Sequence, residues 1–148
     1  MTEPLTLSTT TPGFQIGLLG AGLFLLWGMA LGVWKYVHMR RPPAHSAPVY
    51  VDIAHRAALM YAFASLVLAA LAQFSAWSEL VNIAAVTVNL IFFVSAVSSY
   101  VLHGWKKTNQ TQFREANLIT TWGMWGLIVG ELGGTAILVT GVAASMIG

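Results

Sequence analysis

Polar residues in this chain are gathered into a few short stretches, and between them run four long apolar segments, approximately 13–34, 54–75, 79–103 and 116–147. As a helix, each can span a hydrocarbon core of about 30 Å, which takes about 20 residues. Only Ala76, Trp77 and Ser78 separate the second segment from the third, so these two are expected to form an antiparallel helical hairpin. The pattern predicts an all-α integral membrane protein, a bundle of four transmembrane helices forming one domain over residues 1–148, without internal repeats. The stretch before the first segment, MTEPLTLSTTTP, has no Lys or Arg to make a basic leader region. The first segment is therefore expected to be retained as a span.

Composition agrees with the pattern. The chain is 57% hydrophobic and 8% charged, with mean hydropathy +0.72, values that a soluble domain of this size could carry only by exposing large apolar patches. Cysteine is absent, which excludes disulfides, iron–sulfur clusters and thiolate ligation. Any metal or cofactor would have to be held by His, carboxylate, Tyr or Met.

Charge adds orientation. Lys35, Arg40, Arg41 and Arg56 flank the first connection and Lys106, Lys107 and Arg114 the third, whereas the termini and the 76–78 turn carry no Lys or Arg. The excess of cations on one side of a membrane marks the cytoplasmic face, so both termini are expected outside and both long connections in the cytoplasm of a bacterial-type inner (cytoplasmic) membrane. Trp34, Tyr36 and Trp105 would then sit at the inner interface and Trp77 at the outer one. The net charge of +2 follows from this asymmetry and gives no reason to expect a nucleic-acid partner.

The same reasoning puts all four histidines on the cytoplasmic side. His38 and His45 fall in a connection, where an amphipathic ring is simply at home. His55 and His103 end two apolar helices of one hairpin, at similar depth, and two readings stand for them: interfacial anchoring, or ligation of something inside the membrane. On the third helix Asn82, Asn89, Ala96 and His103 recur every seven residues, with Tyr100 on the same face and Ser95, Ser98 and Ser99 widening it. For Asn82 and the serines, hydrogen bonding between helices accounts for the polarity; Tyr100 with His103 suggests a pocket. Gly126, Gly130 and Gly134 on the fourth helix, and Gly13/Gly17 and Gly28/Gly32 on the first, allow close approach of a helix from this chain or from another subunit. Glu131 lies about 13 residues and Asn89 about 14 from the cytoplasmic ends of their helices, so at about 1.5 Å per residue they reach the same depth. An intramembrane carboxyl with Asn89 as its partner is a functional candidate, or else a neutral hydrogen-bonded group that only sets helix register. Phosphate loops, nucleophile elbows and H-E-x-x-H motifs are missing.

Ala54-His55 opening the second helix, and Tyr100 late in the third at an interval of 45 positions, give a pattern that resembles the styrene oxide isomerases and the related hydroxylaminobenzene mutases. The resemblance covers helices two to four. It implies a homotrimer that holds haem b between subunits, with His55 as the metal ligand, Tyr100 as the active-site tyrosine, and an open iron site for an epoxide oxygen. It departs at Tyr61, where the family has an asparagine, and at Phe92, where it has an aspartate. The expected site thus comprises His55, Arg56, His103 and Arg114 for the cofactor and Tyr100, Tyr61, Asn89 and Glu131 for catalysis. The expected activity is isomerisation of a small lipophilic aromatic epoxide or hydroxylamine that enters from the lipid bilayer. Two other readings stay open: a haem-binding electron-transfer or assembly subunit with His55 and His103 on one haem, and a cofactor-free packing subunit of a larger complex.

Overall fold

The computed structural model describes residues 10–43, 45–107 and 118–147, with side chains in the last segment described from Gly123. Four helices make up its regular structure: α1 Pro12–Met39, α2 Val49–Phe74, α3 Glu79–Trp105 and α4 Leu118–Ile147. All four are long and apolar enough to cross a membrane, which fits a multi-pass membrane protein. The first two run past the apolar segments that announce them, α1 by five residues to Met39 and α2 by five residues back to Val49. Their extensions are joined by Asp52, which pairs with Lys35 of α1 and, at 2.7 Å, with Arg56 one turn on.

Helix α1 starts where Thr11 caps it: the Phe14 amide donates to Thr11 Oγ1 at 3.3 Å, and Pro12 fills the first turn where its missing N–H costs nothing. Thr11 also donates from its amide to Gln73 Oε1 at 3.0 Å, which pins the start of α1 to the end of α2. Between these polar ties at either end, the two helices pack antiparallel along a seam of glycines. A Cβ built on Gly17 would stand 2.8 Å from Ala69 Cβ and 2.9 Å from its Cα; on Gly28 it would meet Leu59, and on Gly32 the His55 ring. Apolar burial gives little net attraction between helices in hydrocarbon, so association depends on such backbone approach and on the dispersion contacts that it admits.

The α2–α3 hairpin forms as expected around 76–78, and α3 packs its buried Ala85, Val86, Phe93, Ala96 and Val97 inward. Against α3 lies α4, with Gly130 taking the Phe92 ring and Gly134 taking Asn89. Gly126 faces open space, so of the three glycines only Gly130 and Gly134 serve packing within the chain. The hairpin turn also holds the far half of α4: Trp77 Nε1 donates to Ile137 O at 2.9 Å and the Ala76 amide to Gly141 O at 3.0 Å. Large apolar side chains remain outward on every helix, among them Leu19, Leu26, Phe63, Leu80 and Leu132. Such a surface suits hydrocarbon and would be costly in water.

Replacing Gly17 by Leu drives a branched side chain into the Ala69 backbone and should destabilise the detergent-solubilised protein by about 1–3 kcal/mol. Gly22→Ala, at a position with nothing within 4 Å, should leave the thermal midpoint unchanged. Parallel melting curves of the two variants check the seam.

Candidate functional site

The first turns of α2 carry His55 on the flank that meets α1. Its Nδ1 lies 2.8 Å from Gly28 O, and its ring rests over Gly32, where a Cβ would come within 2.9 Å of Cε1. A carbonyl oxygen can only accept, so Nδ1 carries the proton and Nε2 keeps its lone pair. A histidine held by its other nitrogen on a backbone carbonyl is the usual arrangement of a metal-binding imidazole. Among the described residues no three histidine or carboxylate side chains gather into a metal site, so a metal held by His55 would have this imidazole as its one such ligand among them. That donor set suits the iron of a haem, which already has four nitrogens of its own.

His103 has different surroundings. Its Nδ1 donates to Ser99 O at 2.7 Å, one turn back on α3, and its ring lies 5.0 Å from that of Tyr50, which in turn stacks on Tyr100 at 6.4 Å. The hairpin brings the two histidines to the same end of the bundle, and their rings then serve different neighbours, α1 for His55 and the Tyr50–Tyr100 group for His103.

Along the outer face of α2 runs a groove of about 650 Å³, lined by Ile53, Arg56, Ala57, Leu59, Met60, Tyr61 and Phe63 with Tyr100 reaching in from α3. Its walls are apolar apart from Arg56 and the two tyrosines. Tyr61 stacks face to face on Phe93, with ring centroids 4.1 Å apart, and tilts against Phe24 of α1. Those contacts fix the ring plane. His55 does not line the groove; it lies on the neighbouring flank of α2, and Arg56 is exposed and engaged by Asp52.

Tyr61 of α2 and Tyr100 of α3, two polar groups of the expected set, line this groove together, while Glu131 of α4 is not among its lining residues. Glu131 Oε1 is buried and has no hydrogen-bond partner among the described residues. Asn89, expected as that partner, is fully buried and otherwise committed: its Nδ2 donates to Ala85 O at 2.9 Å and its Oδ1 accepts from Thr135 Oγ1 at 3.3 Å. Equal depth along two helices fixes height and not azimuth, and Thr135, one turn beyond Glu131, is the α4 residue turned toward Asn89. Arg114 lies outside the described residues.

No family model, curated protein or solved structure matches the chain. The site is therefore read from its own geometry. That geometry adds Gly28 and Gly32, which orient the histidine, and Phe93, which orients Tyr61. The glycine spacing was visible as a packing signal, but nothing in the sequence says that the space it opens is filled by an imidazole.

A double-mutant cycle of Asn89→Ala with Thr135→Val should return a coupling of about 0.6 kcal/mol, the usual size for a hydrogen bond between membrane helices. Asn89→Ala combined with Glu131→Gln should be additive. Reversible unfolding in mixed detergent measures both.

Proposed function

We propose that this chain is the protomer of a membrane-bound haem b-dependent isomerase acting on a small lipophilic aromatic epoxide or hydroxylamine. The observation that carries the reading is the His55 imidazole, protonated at Nδ1 by its bond to Gly28 O and so presenting Nε2 as a ligand. In this reading the two basic connections face the cytoplasm of a bacterial-type inner membrane and both termini lie outside. His55 would hold the haem, while Arg56 and Arg114 would supply cations for its propionates. When bound, a ferric haem provides a Lewis acid for an oxygen or nitrogen of the substrate.

The chain's own residues supply the rest. Ala57, Met60 and Phe63 give an aromatic substrate an apolar wall reached directly from lipid, and they exclude water from it. Tyr100 donates a hydrogen bond to negative charge as it develops on the substrate heteroatom. Tyr61, held by Phe93, orients the ring, and Glu131, a buried carboxyl on α4, would accept or return a proton.

The placement of His55 and of Tyr61 with Tyr100 on separate flanks of α2 supports a site completed between copies. In a closed ring the same two unlike surfaces meet at every interface, so the α1–α2 edge beside His55 of one protomer would face the tyrosine groove of the next, and a homotrimer is the smallest ring built from such head-to-tail contacts.

Protein purified in mild detergent after haem-replete expression should show a Soret band that His55→Ala abolishes. Tyr100→Phe should keep the band and lower kcat for an aryl epoxide or arylhydroxylamine by roughly 100-fold. Wild-type protein without a band would overturn the reading.

A further inference from the structure

At the end of the bundle that carries the two longer connections, a second cleft of about 480 Å³ opens between the end of α1, the loop before α2 and the end of α3. Its lining brings together His38 and Arg41 from the α1 end, Ser46 from the loop and Lys107 from just beyond α3. It is separate from the α2 groove and shares with it none of its lining residues.

The other charges nearby are accounted for. Lys35 and Arg56 share Asp52, and Arg40 lies over the Tyr36 ring at 6.0 Å. Among the described residues Asp52 is the carboxylate at this end, since Glu79 opens α3 at the hairpin turn and Glu131 lies within α4. Among the described residues, Arg41 and Lys107 thus face the cleft without a carboxylate partner. Their backbones show that the arrangement is held: the Arg41 amide donates to His38 O at 3.1 Å, and Arg41 O accepts the His45 amide at 3.3 Å. Lys107 has φ +52°, a left-handed conformation that glycine adopts at less cost, while its amide donates to Gly104 O at 3.2 Å. A lysine kept at such a position sends a long cationic side chain back toward the α1 end.

We propose that this cleft binds a phosphate group. A guanidinium offers two parallel donors to phosphate oxygens, an ammonium adds a point charge, and a hydroxyl and an imidazole N–H complete a donor set whose lining residues include no carboxylate. The group reaches the cleft either as the headgroup of an anionic phospholipid or as free phosphate, and both sources satisfy the same donors.

Titration of delipidated protein in a nonionic detergent, with short-chain phosphatidylglycerol in one arm and inorganic phosphate in the other, tests the assignment. Saturable binding is expected, weakened about tenfold in R41Q/K107Q and left within a factor of about two in R40Q/K106Q, which removes the same two charges beside the cleft. Ser46→Ala keeps every charge and the loop, and should weaken binding about threefold; it carries the test if the double variant does not fold. Binding of phosphatidylglycerol alone assigns a lipid phosphodiester, and comparable binding of both probes assigns free phosphate. Equal losses in the two double variants, or no saturable binding of either probe, overturn the proposal.

Discussion

The approach of α1 to α2 is the contact on which the rest of the structure depends. Water does not drive helices together within hydrocarbon, so the pair must gain its stability from close contact, and close contact requires the absence of side chains at Gly17, Gly28 and Gly32. The same absence shapes the candidate site. With no Cβ at Gly32 the His55 ring lies flat against the backbone of α1, within reach of a carbonyl that most helix faces would hide. Packing and the choice of imidazole tautomer are thus set by one seam. The Lys35–Asp52–Arg56 group closes it at one end and Thr11–Gln73 at the other, so the helices have little freedom to slide.

The fourth helix docks by a different device. Its glycines receive mainly side chains: Phe92 at Gly130, Asn89 with the Ala85 carbonyl at Gly134, and Ser75 with Trp77 at Gly141. Asn89 becomes the buried polar bolt of this contact, satisfied once within α3 and once by Thr135. The carboxyl of Glu131, one turn before Thr135, stays outside this pairing, and among the described residues its buried Oε1 has no hydrogen-bond partner.

Much of the fold was legible because hydrophobic runs of this length admit few other structures, and the three-residue turn at 76–78 dictated the hairpin. Helix ends were less so: α1 and α2 continue into polar sequence where Asp52 ties their extensions together, and its bond to Lys35 of the other helix has no signature in hydropathy. The site was legible in its parts. Seven-residue spacing on α3 put Asn82, Asn89 and Ala96 on one buried face, whereas rotation of α4 about its axis, which decides between Glu131 and Thr135, is fixed by the glycine contacts and leaves no trace in hydropathy. His55 and His103 stand at the same end in the sequence and in the structure, yet the direction of each ring follows from contacts with residues far away in the chain.

The Trp77 tether has a consequence for how α4 can move. Hydrogen bonds to the turn and to α3 hold the second half of α4, at Thr135, Ile137, Thr140 and Gly141. A rod fastened near one end moves as a cantilever: small rotations about the Trp77 anchor become larger displacements toward the opposite tip, about 1.5 Å of lever arm for each residue. Rotation about the tryptophan would therefore disturb the seam with α3 least beside the 76–78 turn and more at Gly130, where α4 rests on the Phe92 ring.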